Sequence, residues 1–342
     1  MANEAQTQLS DPAWLAHRYV ESNDSVRFIH VPRQDHASTP FLTDDCLGPR
    51  PTGRDLPASA CLSLASDPPV GFLFHSAFCG STLLTRAFDR PGYAMGLSEP
   101  VMLNDVVGYR RRGAKPAAVA RLADLTTRLL GRPFGADEMV IIKPSNIVNP
   151  LAELLLALRP QARAIFLYAP LETFLISVAR KGLPCRLWVR ELLEGYLREG
   201  FVSLGFAPED FFRQSDLQVA AVGWLAQQAY FQRLAGKNPD RRLRTLDANR
   251  MTAEPARAIA AAADHFGVQF DAATVADIVS GPAFNKHSKS GQAFTAGSRT
   301  QEYAAARAAY GEEIGLVLAW AEKVAAGAGI ALSGLDPLLD QA

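Results

Sequence analysis

The stretch Val70 to Thr82, VGFLFHSAFCGST, runs from a continuous apolar segment into a short loop and then into LLTRAF, which has a helical pattern. The first N–H groups of a helix have no intrahelical partner, and the helix dipole adds positive potential there. A strand–loop–helix junction of this kind therefore favours a phosphate or sulfate. Against the pattern G-x-x-x-x-G-K-[ST], residues 75–82 keep Gly80 and Thr82, but His75 stands for the first glycine and Ser81 for the lysine. Cys79, Gly80, Ser81, Thr82 and Leu83 are the candidate ligands, offering backbone amides and two hydroxyls to one phosphate. With no lysine to hold a second phosphate, an ordinary ATPase fits poorly. The same window also reads as a plain strand, turn and amphipathic helix.

Four further places along the chain carry residue types that bear on chemistry at an anion. Glu99 lies in GLSEP, after an apolar run. A carboxylate at a strand end can take the proton of an attacking hydroxyl, or can cap a helix starting near Pro100. Lys143 closes MVIIK, where four apolar residues precede a charge. It reads as a cation aimed at developing negative charge, with His75 as a nearby substitute, or as an edge lysine that snorkels. Ser177 and Arg180, in LETFLISVARK, are spaced to share a helix face. Arg180 and Lys181 also read as favourable charges at a helix end before Gly182. Lys286 and Lys289, with His287 and Ser288 in FNKHSKSGQAF, form a cationic loop with side-chain and backbone donors for an anion, which also reads as a solvated turn.

The elements that must position these residues follow an alternation. Short apolar runs at Val70–Phe74, Tyr93–Leu97, Met139–Ile142, Ala164–Tyr168 and Leu243–Leu246 are expected as strands of a parallel sheet. Helices are expected over Thr82–Asp89, Val101–Tyr109, Pro116–Leu130, Val148–Leu158, Leu171–Lys181 and Glu209–Ala235, with a C-terminal amphipathic helix over Ala304–Ala325. This gives an α/β fold: a three-layer P-loop-type domain with a central parallel sheet over residues 69–342, preceded by an N-terminal extension, 1–68, that packs on it. The extension shows one strand-like run, Val26–Val31. Ligands of such sheets bind beyond the carboxyl ends of the strands, where the candidate residues fall.

Composition restricts the function classes. The 342 residues carry 35 Lys+Arg against 35 Asp+Glu, so there is no global field for nucleic acid or an anionic membrane, and the short arginine clusters at 110–112 and 241–242 read as surface charge. Cys46, Cys61, Cys79 and Cys185 have no C-x-x-C spacing and the histidines no H-x-x-x-H pair, so neither a metal site nor a disulfide framework is expected. MANEAQTQLSDPAW lacks a basic segment followed by an apolar one, and no apolar run reaches bilayer length. A cytoplasmic protein is expected, its oligomeric state unread. The aromatic set Phe201, Phe206, Phe211, Phe212, Trp224, Tyr230 and Phe231 reads as core or as an acceptor pocket.

On these motifs, the stretch from about Val70 to Lys289 resembles the sulfotransferases, the P-loop branch that uses 3′-phosphoadenosine-5′-phosphosulfate, with motif likeness to the tyrosyl-protein and bacterial groups. Where that family reads roughly P-[RK]-S-G-T-[TS]-L-L, this chain reads SAFCGSTLL, with Phe78 in place of the basic residue. The resemblance implies a general-base role for Glu99, an electrophilic role for Lys143, and donor contacts at the loop and at residues 286–289. It also assigns a 3′-phosphate contact to the region R-[DN]-P-x-[DE]-x-x-x-S, where this chain has Tyr168 for the arginine and Ile176 at the serine position, leaving Ser177 and Arg180 to do the work. The implied reaction is sulfuryl transfer to a hydroxyl of a small molecule or peptide, without metal. A nucleotide-dependent phosphotransferase and a non-catalytic anion-binding module stay open.

Overall fold

The computed structural model describes residues 10–64, 67–201, 204–237, 240–281, 284 and 296–339. Five strands, β4 (Val70–His75), β5 (Ala94–Ser98), β6 (Met139–Lys143), β7 (Arg163–Tyr168) and β8 (Leu243–Asp247), form a parallel sheet flanked by helices, in the order β5-β6-β4-β7-β8. Every residue of β4 and β5 is buried. A strand covered on both faces has no polar face to alternate, which is why these segments read as unbroken apolar runs. All five expected strands are present, and β4, β5 and β6 extend past their apolar runs to end on His75, Ser98 and Lys143.

A smaller antiparallel sheet precedes it, made of β1 (Trp14–Val20), β2 (Ser25–His30) and β3 (Leu56–Pro57) in that order. Only β2 was expected. The pairing of β1 with β2 shifts register between Ala16 and Arg18, so the inward–outward alternation that would mark β1 is broken at His17.

The helix Pro116–Leu130 has the bounds expected for it. The expected helix at Val148–Leu158 is instead a 3-10 turn, Asn146–Leu151, followed by the helix Ala152–Leu158, because Pro150 removes a donor within the turn. The stretch expected as Glu209–Ala235 divides at Ser215 into Asp210–Arg213 and Asp216–Gly236. Ser215 starts the longer helix with a reciprocal capping box to Gln218. Among the helices absent from the expected set, the longest is Gly182–Arg198, which follows Leu171–Arg180 after Lys181, where the sequence had suggested an end; Pro255–Phe266 and Ala272–Ser280 are others. The C-terminal helix is longer than expected, Ala296–Ala328.

The chain divides into two compact units, Met1–Phe74 with Thr82–Ala164 and Ala262–Val275, and His75–Ser81 with Ile165–Ala261 and Ala276–Ala342. In the first, the Arg18 guanidinium donates to both oxygens of Asp105, at 2.7 and 2.9 Å, and Arg33 to both oxygens of Glu138, at 2.6 and 2.7 Å. These pairs tie the segment before β4 to the elements after it. The helix Ser81–Ala87 crosses β5 so closely that a Cβ at Gly96 would lie 2.4 Å from the carbonyl oxygen of Thr85. In the second unit, Phe166 stacks on Phe231 with ring centroids 3.9 Å apart, and the buried Trp224 indole N–H donates to the Ala169 carbonyl at 2.8 Å.

Candidate active site

Neighbouring strand ends set the first cluster. Ser98 of β5 pairs with Lys143 of β6, and one residue on, the Glu99 N–H donates to the Lys143 carbonyl at 2.7 Å. The chain turns at Glu99 with φ 51°, a left-handed conformation. The turn lays the carboxylate against the lysine: Lys143 Nζ donates to Glu99 Oε1 at 2.6 Å and lies 3.4 Å from Thr82 Oγ1. The lysine side chain is 0 % exposed and the glutamate 17 %, so the carboxylate is the member of the pair that meets solvent. A buried ammonium does not snorkel. The helix Met102–Arg111 that follows has Val101 as its N-cap, with no side-chain cap bond from that residue.

The segment Pro40–Leu42 closes this cluster. Leu42 N–H donates to the Ser98 carbonyl at 2.7 Å, Val101 N–H to the Leu42 carbonyl at 3.1 Å, and Ser98 Oγ to the Pro40 carbonyl at 2.7 Å. That short run of bonds carries the Phe41 ring to 4.8 Å from Lys143 Nζ, within cation–π range. Sequence reasoning missed Phe41, and nothing in its neighbourhood signals the role. It depends on a pairing between segments far apart in the chain.

In the second unit, the loop after β4 is fastened to β7. Ser76 N–H donates to the Leu167 carbonyl, and Ser76 Oγ accepts from Ala169 N–H, both at 3.1 Å. His75 is buried, and its Nδ1 accepts the Ala77 N–H at 3.1 Å, so the ring helps to shape the loop. Ala77, Phe78 and Gly80 have φ of 70°, 52° and 79°. Successive N–H groups in such conformations form the concavities that hold anions. Cys79 and Ser81 are buried. Thr82 and Leu83 continue the chain into the first unit, Thr82 buried and Leu83 half-buried.

The Phe78 ring lies 5.7 Å from the rings of both Phe174 and Trp188, and Lys181 Nζ lies 5.6 Å from its centroid. Phe174 belongs to the helix Leu171–Arg180, which carries Ser177 and Arg180. Ser177 is buried and its hydroxyl donates to the Thr173 carbonyl at 3.0 Å, while Arg180 is exposed at the helix end. Tyr168 is pinned elsewhere. Its hydroxyl oxygen accepts the Gly334 N–H at 2.9 Å, and burial pushes its phenol above the ordinary range. Asp247, at the end of β8, caps the helix Ala248–Ala253 through Asn249 and Arg250 N–H groups. Lys286 and Lys289 lie outside the described residues. Of the aromatic set, Trp224, Tyr230, Phe231 and Phe201 are core, whereas Phe211 and the 91 % exposed Phe212 line a surface cavity of about 260 Å³ with Leu193, Leu197 and Val219.

Among the described residues no group of three or more His, Cys, Asp or Glu could hold a metal ion, and no helix is long and apolar enough to cross a membrane. No family model matches the chain, and no curated protein matches it. Solved structures to which it is similar include a sulfotransferase domain from the curacin biosynthetic pathway, at 14 % identity and a TM-score of 0.42, covering 67 % of this chain and 85 % of that one. The sulfotransferase STF9 from Mycobacterium avium is similar at 12 % identity and a TM-score of 0.40, over 73 % of this chain and 79 % of that one. STF1 from Mycobacterium tuberculosis H37Rv is similar at 14 % identity and a TM-score of 0.39, over 72 % and 79 %.

Proposed function

We propose that this chain is a sulfotransferase that uses 3′-phosphoadenosine-5′-phosphosulfate as donor and a hydroxyl of a small molecule or peptide as acceptor. One observation carries the reading: a fully buried ammonium, Lys143, is held between the Glu99 carboxylate at 2.6 Å and the Thr82 hydroxyl at 3.4 Å. Buried cation, hydroxyl and partly exposed carboxylate are the groups that moving a sulfuryl group onto an alcohol requires. In this reading Glu99 takes the proton of the acceptor hydroxyl, which raises the electron density of the attacking oxygen. Lys143 offsets the negative charge that grows on the oxygens around sulfur, and burial makes that charge effective because no water screens it. Cys79, Gly80 and Ser81 contribute amides and a hydroxyl to the phosphosulfate, His75 holds the loop in shape, and Ser177 and Arg180 take the 3′-phosphate. With these residues doing the binding, the reaction needs no metal.

Two measurements test the reading. Adenosine 3′,5′-bisphosphate at about 100 times its dissociation constant should stabilise the folded chain by about 2.7 kcal/mol, more than ATP or ADP at the same concentration. No thermal shift at millimolar nucleotide would count against a nucleotide site, and equal shifts with ATP would favour a generic phosphate site. With a hydroxyl acceptor found by screening for bisphosphate release, Glu99→Gln should cut turnover about 100-fold with nucleotide affinity retained. Unchanged turnover removes Glu99 from the chemistry.

A further inference from the structure

The loop after β4 has no cation of its own: between Val70 and Thr85 there is neither lysine nor arginine. Its most prominent side chain is instead Phe78, half-buried, with φ 52°. A bulky residue in the left-handed region is strained and persists where its surroundings fix it. Here the surroundings are Phe174, Trp188 and the ammonium of Lys181, 5.6 Å from the ring centroid. Lys181 is the single residue between the helices Leu171–Arg180 and Gly182–Arg198, and each of those helices supplies one of the two rings that touch Phe78. The backbone of Lys181 is thereby held on both sides, and its exposed side chain rests on an aromatic face that is negative in potential.

We propose that Lys181 is the cation of this loop, held in place by Phe78 and contacting a phosphate or sulfate group of the ligand bound there. The inference rests on the proposed function in taking that ligand to be anionic. It adds that the charge missing from the loop sequence is returned by a residue more than a hundred positions away, with the aromatic ring as its support. An ammonium on a ring face keeps its hydrogen-bond donors, so it can still hold an oxyanion while the ring limits its freedom.

The test is calorimetric titration of the full chain with adenosine 3′,5′-bisphosphate and with inorganic pyrophosphate, comparing wild type with Lys181→Met, Lys181→Arg, Phe78→Leu and the double variant Phe78→Leu/Lys181→Met. Loss of a charge-assisted bond at an exposed site should weaken binding about tenfold in Lys181→Met. Lys181→Arg, which keeps charge and stacking, should bind nearly as wild type. Phe78→Leu should weaken binding, and the double variant should be no weaker than Lys181→Met, because ring and ammonium act as one unit. Wild-type affinity in Lys181→Met, an exposed position where folding is not at risk, overturns the inference. If pyrophosphate binding depends on Lys181 but the nucleotide binds no more tightly than pyrophosphate, the inference stands and the sulfotransferase reading falls. If wild type binds neither, both fall.

Discussion

The Glu99–Lys143 pair makes a prediction about stability whose asymmetry follows from burial. Lys143 is completely enclosed and Glu99 is 17 % exposed. Glu99→Gln removes the one formal negative charge shown against an ammonium that water cannot reach, and breaking a buried pair in this way costs about 3–5 kcal/mol. The partial exposure of Glu99 places the expected loss at about 3 kcal/mol, the low end of that range. Lys143→Met removes the desolvated charge itself and keeps most of the apolar stem, while the carboxylate left behind can turn to solvent. Its cost should be about 1 kcal/mol or less. The double variant should then resemble Lys143→Met rather than the sum of the two singles, giving a coupling energy of about 3 kcal/mol. Thermal unfolding of all four proteins at neutral pH reads this directly, at roughly 2–4 °C per kcal/mol for a domain of 150–250 residues. Lys143→Met more damaging than Glu99→Gln, or strictly additive singles, would refute the account of an ammonium sustained by its carboxylate.

Two further outcomes test the packing around the site. His36 donates from Nε2 to the Val31 carbonyl at 3.0 Å, and burial lowers its pKa from 6.5 to about 4. Above pH 6.5 the imidazole is neutral in both states and its contribution is complete; below that the unfolded chain takes up a proton that the folded one refuses. Stability should fall as pH drops from 6.5 towards 4, by about 3 kcal/mol in all, and His36→Gln should remove that part of the slope. Identical pH profiles for wild type and variant would contradict this. Gly96→Ala puts a Cβ 2.4 Å from the backbone oxygen of Thr85 and should cost about 3 kcal/mol, whereas Gly223→Ala, within the helix Asp216–Gly236 with nothing beyond its own stretch of helix backbone within 4 Å of the new carbon, should stabilise by about 0.5–1 kcal/mol. Thermal midpoints moving in the same direction for both would show that the crossing at β5 is looser than described.

What could be read from the sequence was what depends on local pattern. The strands β4 to β7 were legible because burial on both faces leaves a contiguous apolar run, and Pro116–Leu130 because a proline opens it and its apolar face repeats. β1 was hidden by its bulge at His17. The helix Gly182–Arg198 was hidden by its opening, Gly-Leu-Pro, which reads as a stop, and by Leu183 and Leu187, which are 64 % and 51 % exposed and blur the amphipathic pattern. Glu99 and Lys143 could be singled out as strand ends, each with a bland alternative beside it. Their pairing follows from the register Ser98↔Lys143, a property of two strands that local sequence does not encode. Phe78 illustrates the same limit. As a sequence position it marks a missing cation, and only the helix junction at Lys181 shows a cation beside it.

Backbone strain points to the same places. Among the described residues six that are not glycine have positive φ: Asp24, Ala77, Phe78, Glu99, Arg241 and Asp336. Three of them, Ala77, Phe78 and Glu99, directly follow β4 and β5, at the carboxyl ends of parallel strands, where α/β sheets hold ligands. Each costs about 1 kcal/mol or more relative to glycine, the residue that adopts this conformation without penalty. Glycine at position 99 would relieve the turn but leave Lys143 without the carboxylate 2.6 Å away. Glycine at position 78 would relieve the loop but remove the ring beneath Lys181. At both positions the strained residue supplies what glycine lacks, a charge in one case and a ring in the other. In both it faces a lysine, so at each of these strand ends a strained residue also fixes an ammonium.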